Sequence, residues 1–145
     1  MNPAKILIVE DELIPATNIA RNLKKQGYVV MALIKSGEAA LEKIAQDRPD
    51  LMLIDIHLQG KMDGIETVQE IRKKYTIPVI YLTAYSDQTT LDRAQQTQPY
   101  GYLVKPFKIQ QIYEIIETAL QKHQLNLGSL PTSYPPEITI DERLN

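Results

Sequence analysis

Three carboxylates, a hydroxyl and an amine stand where short apolar runs of this chain end. Glu10 and Asp11 follow Ile6-Leu7-Ile8-Val9, Asp55 follows Leu51-Met52-Leu53-Ile54, Thr83 follows Pro78-Val79-Ile80-Tyr81-Leu82, and Lys105 follows the segment Tyr100 to Val104. Singly, each has an ordinary explanation: an acid after a strand caps the next helix, and a threonine there is a strand former or a turn residue. Together they describe a chemistry. A carboxylate can attack phosphorus and form an acyl phosphate. Phosphoryl transfer asks the protein chiefly for positioning and for positive charge around the moving oxygens. Asp55 suits the nucleophile, and Lys105 with the Thr83 hydroxyl suits the phosphoryl oxygens. Three carboxylates with ordinary pKa values near ~4 are all ionised at neutral pH and repel one another. Lys105 offsets one charge, and a divalent cation held by Glu10 and Asp11 offsets two more. Mg²⁺ fits a set of oxygen ligands. A thiolate or multi-histidine metal site is not supported, because the chain has no cysteine and only His57 and His123.

The elements that must position these groups follow from periodicity. The first apolar run reads as a buried strand. After it Ala16, Ile19, Ala20 and Leu23 recur at helical spacing and Gly27 closes the helix; Pro15 fits only in the first turn, where few intrahelical donors are lost. Tyr28 to Ile34 reads as a second strand. Ser36-Gly37 opens a helix with Ala40, Leu41 and Ile44, broken by Pro49-Asp50. After the third strand comes a polar loop, His57 to Met62. Asp63 and Glu66 then have capping-box spacing ahead of Ile65, Val68 and Ile71. A fourth strand ends at Thr83, a polar helix spans Asp87 to Gln98, and a fifth strand leads to Lys105-Pro106. The last helix carries Ile109, Ile112, Ile116 and Leu120 on one stripe. Alternating strands and helices imply parallel pairing with right-handed crossovers. The expected fold class is therefore α/β, a doubly wound five-stranded parallel sheet with helices on both faces, which explains the unbroken apolar strands. In such sheets the functional crevice lies beyond the carboxyl ends of the strands, and that is where the five chemical residues stand.

A chain of 145 residues suits one domain. Residues 1–124 hold the alternating pattern. Residues 125–145, with Gly128, Ser129, Pro131, Pro135 and Pro136, read as a C-terminal tail or linker in which Ile138-Thr139-Ile140 offers a short strand or docking segment. A net charge of −2 lacks the basic excess of a nucleic-acid binder, so no direct nucleic-acid contact is expected. The absence of cysteine excludes a disulfide framework and permits a reducing compartment. No apolar stretch is long enough for a signal peptide or a membrane helix, so a cytoplasmic location away from the membrane is expected.

Ile6-Leu7-Ile8-Val9-Glu10-Asp11-Glu12, Leu53-Ile54-Asp55-Ile56, Met62-Asp63-Gly64, Leu82-Thr83-Ala84 and Tyr102-Leu103-Val104-Lys105-Pro106-Phe107 are each weak signals. In this order and spacing they resemble the receiver domain of two-component response regulators, over roughly residues 4–123. The resemblance implies a flavodoxin-like strand order 2-1-3-4-5. It implies phosphorylation of Asp55 by a sensor histidine kinase or a phosphotransfer protein. Mg²⁺ would be held by Glu10 or Asp11, by Asp55 and by the backbone carbonyl of His57. Thr83, Ala84 and Lys105 would contact the phosphoryl group, and the bond between Lys105 and Pro106 would be cis. Tyr102 matches the family's switch aromatic, which turns inward as Thr83 moves toward the phosphoryl group; a plain core tyrosine is the alternative. The face made by the fourth helix, fifth strand and last helix would then change, for a downstream protein partner or a homodimer. Such a chain is a phosphoacceptor signalling domain rather than an enzyme.

The chain also departs from the pattern. The loop after Asp55 is one residue longer than the family's commonest form and lacks its proline, so Gln59-Gly60-Lys61 is expected to be a mobile lip. Gln98-Pro99-Tyr100-Gly101 replaces the more usual Gly-Ala, and this resembles receivers fused to sensor kinases. His57 and Tyr85, two residues after Asp55 and Thr83, either gate water onto an acyl phosphate or are plain surface residues. An aspartyl-phosphate phosphatase would need a second acid where His57 stands. A flavin-type cofactor binder would need a phosphate-cradling loop where Glu10-Asp11-Glu12 stands.

Overall fold

Strands β1 (Lys5–Val9), β2 (Val29–Ile34), β3 (Leu51–Asp55), β4 (Val79–Thr83) and β5 (Gly101–Val104) alternate with helices α1 (Leu13–Lys25), α2 (Gly37–Gln46), α3 (Gly64–Arg72), α4 (Gln88–Gln95) and α5 (Ile109–Ser129). The structure is a computed structural model that describes residues 3–84 and 87–129, the last five as helical backbone alone. Tyr85 and the segment 130–145, with Ile138-Thr139-Ile140, lie outside the described residues. The strands form one parallel sheet in the order β2-β1-β3-β4-β5, as the resemblance implies.

Successive side chains of a strand point to opposite faces, and here both faces are apolar. Leu7, Val9, Met52, Ile54, Val79 and Tyr81 join residues of α2 and α3, with Ala94 of α4, in one buried cluster. Ile6, Ile8, Leu51, Leu53, Ile80 and Leu82 join residues of α1 and α5 in another. The central strands β1, β3 and β4 are thereby sealed on both sides. β2 sits at an edge, and its Val29 and Leu33 remain exposed.

Local signals account for most of the helix ends. Asp63 accepts from the Glu66 amide at 2.8 Å and Glu66 accepts from the Asp63 amide at 2.9 Å, the reciprocal capping box that the spacing predicts. Ser36 caps α2 through the Ala39 amide, and Asp87 caps α4 through the Thr90 amide. Gly27, at φ +99, takes the left-handed turn after α1. Two elements differ from expectation. α4 stops at Gln95, before the expected Gln98, because the backbone tightens to bonds from Thr97 to Ala94 and from Gln98 to Gln95, and Gln98 takes a positive φ of 57. The last helix passes residue 124, where a tail was expected, and runs to Ser129. The stripe of Ile109, Ile112, Ile116 and Leu120 stops well short of that end, because helical hydrogen bonds are local and continue without it.

One close approach sets the geometry at the end of β3. The Gly64 amide donates to the Ile56 carbonyl at 2.8 Å. A methyl group at Gly64 would strike the Asp55 backbone oxygen and lie 2.9 Å from the Ile56 Cα. The start of α3 therefore lies directly against the backbone that carries Asp55. Gly64→Ala is expected to destabilise the fold by about 1–3 kcal/mol through overpacking. Gly27→Ala, with no atom within 4 Å of the new methyl, should cost about 1 kcal/mol from its backbone conformation alone. Urea denaturation of both variants checks this; a Gly64→Ala cost no larger than that of Gly27→Ala would refute the close-packing argument.

Candidate functional site

The carboxyl ends of β1, β3, β4 and β5 meet in one pocket, and the Lys105 side chain ties it together. Its Nζ donates to Asp55 Oδ2 at 2.6 Å and to Glu10 Oε1 at 2.8 Å. Glu10 and Asp55 are buried, and Lys105 is only partly exposed. Both acids also accept from the backbone. Asp55 Oδ1 takes the His57 amide at 2.7 Å, and Glu10 Oε2 takes the Glu12 amide at 3.1 Å. This use of Glu10 fits the start of α1, where Glu12 stands at the cap position but makes no side-chain cap.

Carboxylate oxygens of Glu10, Asp11 and Asp55 all lie within 4.8 Å of one another. One ammonium faces three acids, two of them buried. Burial pushes the Glu10 carboxyl up to about 7, against the lowering effect of Lys105 and the Glu12 amide, and the charge of Asp55 pushes it the same way. Burial pulls the Lys105 ammonium down, but its bonds to Asp55 and Glu10 outweigh that and raise it overall. A hard divalent cation coordinated by oxygen fits such a donor set, since it supplies the missing positive charge.

The structure brings Glu10, Asp11, Asp55 and Lys105 into contact or near contact. Thr83 is buried at the end of β4, and its carbonyl accepts the Lys105 amide at 2.7 Å. Ala84 follows it on the surface, and the His57 side chain is exposed beside the pocket. The bond between Lys105 and Pro106 is cis. Tyr102 is half-buried on β5. Its ring stacks on Tyr81 with centroids 5.9 Å apart, and its hydroxyl donates to Gln95 Oε1 at 2.9 Å. Tyr102 is thus neither a sealed core residue nor a free surface one.

Two residues of this region carried no sequence signal. Glu38, in the first turn of α2, accepts the Lys61 amide on Oε2 at 3.2 Å, and its Oε1 is buried without a hydrogen-bond partner among the described residues. Asp11 accepts the Gln59 amide at 3.4 Å, and Gly60 lies between them at φ +113. The segment Gln59-Gly60-Lys61, expected to form a lip because of its extra residue and missing proline, thus has one hydrogen bond at each end, to Asp11 and to Glu38. Arg93 of α4 reaches Asp63 of the α3 cap at 3.3 Å. Gly60 hinted at a special turn; nothing in the chain pointed to Glu38 or Arg93, because their partners lie 23 and 30 residues away.

Comparison with known proteins agrees with this geometry. The family model of the response regulator receiver domain matches residues 6–117. The transcriptional regulatory protein PdtaR of Mycobacterium tuberculosis is 33% identical over 120 residues, which cover 83% of this chain and 58% of that protein. The chain thus spans little more than half the length of that relative. Among solved structures, the signal receiver domain of a modulated diguanylate cyclase from Desulfovibrio desulfuricans G20 superposes with a TM-score of 0.81 at 35% identity, covering 85% of this chain and 98% of that one. The N-terminal domain of a response regulator/sensory box/GGDEF three-domain protein from Carboxydothermus hydrogenoformans gives 0.79 at 39% identity, with the same coverage. With the sheet order, the acidic pocket and the bridging lysine all in place, the chain belongs to the response regulator receiver domains of two-component signalling systems.

Proposed function

We propose that Asp55 accepts a phosphoryl group from a histidine kinase or phosphotransfer protein, with Mg²⁺ in the acidic pocket, and that the resulting acyl phosphate alters a protein-binding face. The observation that carries this reading is the single ammonium of Lys105 within 2.8 Å of both Glu10 and Asp55, residues 95 and 50 positions away along the chain. In the transfer, one Asp55 carboxylate oxygen bonds to phosphorus while the phosphorus–nitrogen bond of the donor histidine breaks. The electron pair of that bond stays on the imidazole. Glu10 or Asp11, Asp55 and the His57 carbonyl would hold Mg²⁺, which when bound offsets negative charge on the phosphoryl oxygens.

The chain's own groups supply the rest. The His57 amide and the Lys105 ammonium orient the two Asp55 oxygens, and the buried Thr83 hydroxyl and the Ala84 backbone suit the phosphoryl oxygens. Withdrawal of Lys105 toward the new charges would loosen its hold on Glu10. Movement of Thr83 would be felt along β4 at Tyr81 and, through the stacked rings, at Tyr102. The face of α4, β5 and α5 is the region that a downstream partner or a second copy would read. The role is that of a phosphoacceptor signalling domain. No helix among the described residues is long and apolar enough to cross a membrane, which fits work in the cytoplasm.

Intact mass after incubation with Mg²⁺ and a small phosphodonor is expected to rise by one phosphoryl group, and Asp55→Asn should abolish the gain. No gain in folded wild-type protein would overturn the reading. A second expectation comes from Glu10, whose folded-state pKa lies above its ordinary value. Such a group stabilises the fold below its ordinary range, and that contribution is lost as pH rises through about 7. Without divalent cations, Glu10→Gln should therefore gain a few degrees of Tm over wild type at pH 8.5 and less at pH 5.5. Added Mg²⁺ should raise the wild-type Tm more at the higher pH. Thermal melts at both values check this, and a variant less stable than wild type at pH 8.5 would contradict it.

A further inference from the structure

The amino ends of β4 and β5 border a cavity of about 760 Å³ that the chemistry at their carboxyl ends does not use. Its walls come from the last turn of α3, the segment leading into β4, the turn between α4 and β5, and α5. Small-ligand sites commonly have this size and a mixture of rings and a few convergent polar groups. Arg72 is the cation of the cavity. Its Nε donates to the Thr97 carbonyl at 3.0 Å and its Nη1 to the Ile77 carbonyl at 2.6 Å. These bonds use two of its five N–H groups and hold the guanidinium in a fixed plane.

Rings supply much of the remaining wall. Tyr100 and His123 meet edge to face with centroids 6.0 Å apart, and Tyr75 lines the same space. The Arg48 guanidinium stands 4.9 Å from the Tyr75 ring centroid and adds positive charge beside the cavity. No aspartate or glutamate is among the described residues that line it. Burial, and then the charge of Arg72, hold His123 below the ordinary histidine range, so near neutral pH it offers hydrogen bonding rather than charge.

We propose that this cavity is a binding site for a small anion carrying a flat ring, with the anionic group on Arg72 and the ring among Tyr75, Tyr100 and His123. A planar guanidinium fork matches a carboxylate or a phosphate, and aromatic faces and edges accept a flat ring. Occupancy would reach the switch region through bonds already formed. The Thr97 carbonyl that Arg72 holds belongs to the residue whose hydroxyl lies 2.7 Å from the Tyr81 hydroxyl. Thr97 donates its one hydroxyl proton to the Ala94 carbonyl, so Tyr81 is the donor in that pair. Tyr81 stacks on Tyr102, and Tyr102 bonds to Gln95. A ligand that draws on Arg72 therefore acts on the end of α4 and the turn after it, to which Tyr102 and Tyr81 are bonded.

The test is a titration of the full, unphosphorylated chain with adenosine monophosphate, benzoate or inorganic phosphate. Amide resonances and the Tyr102 ring signals are followed together by NMR. At least one ring-bearing anion should saturate with a Kd below about 1 mM, with its largest shifts at Arg72 and Thr97, and inorganic phosphate should bind more weakly. Arg72→Met should weaken binding by about tenfold or more. His123→Ala, which leaves both backbone bonds of Arg72 in place, should weaken it by a smaller factor. Failure of every probe to saturate would overturn the site, as would affinity unchanged in both variants. Phosphate binding as tightly as the ring-bearing anions would overturn the ligand class. Cavity signals that move while the Tyr102 ring stays still would overturn the link to the switch. No readout depends on Asp55 accepting a phosphoryl group, so failure of the proposed function and failure of this site are separately visible.

Discussion

The bond of Lys105 to two buried acids is the interaction on which the rest of the site depends. An ammonium near three carboxylates is a poor charge balance, and removing ions from water is costly unless each is paired and hydrogen-bonded. The chain meets the cost in part. Asp55 and Glu10 each accept a backbone amide as well as Lys105. The remainder appears as strain on protonation, with Glu10 held near neutral pH by its burial. A pocket left short of positive charge is ready to take more of it, and a phosphoryl group brings negative charge that the same pocket must then absorb. Structure and chemistry are linked through this one imbalance.

The scaffold makes the imbalance possible. Three central strands are covered on both faces, so their carboxyl ends are fixed by packing rather than by the charges they carry. The backbone of Asp55 is further confined by Gly64, which brings the start of α3 against it with no room for a side chain. Glu38 and Asp11 hold the following loop from two sides. Rigid support around a charged centre matters because a carboxylate that could swing into water would relieve its own repulsion and lose its alignment.

At the other end of β4 a second polar network runs through the molecule. Arg72, Thr97, Tyr81 and Tyr102 form a chain of hydrogen bonds and one ring stack that joins the end of α3 to the outer face of β5. Thr83 and Tyr81 are two residues apart on the same strand, so the phosphoryl pocket and this network share β4. The turn after α4 belongs to this network, and its Gln98 adopts a positive φ of 57, a conformation that residues other than glycine seldom take.

Much of this was legible in the order of residues alone. Apolar runs and helical stripes are local, so the strands, the capping box at Asp63 and Glu66, and the stop at Gly27 could be read from neighbours in sequence. Alternation of elements then implied a parallel sheet, and a parallel sheet implied that Glu10, Asp11, Asp55, Thr83 and Lys105 share one edge. The strand order came from resemblance, since alternation by itself does not choose among orders. Other features depend on contacts between distant segments. That Lys105 reaches both Glu10 and Asp55, that Glu38 restrains the loop at Gly60, and that Arg72 closes a cavity against Thr97 and Ile77 are decided by how helices settle on the sheet. The end of α5 differed for a related reason: the apolar stripe records where a helix is buried, and only the folded chain shows where its hydrogen bonds stop. Sequence by itself determined which groups could do chemistry and on which edge they stand, because periodicity is a property of neighbours. Tertiary structure alone decided their partners, their burial and hence their charge, because those depend on atoms far away along the chain.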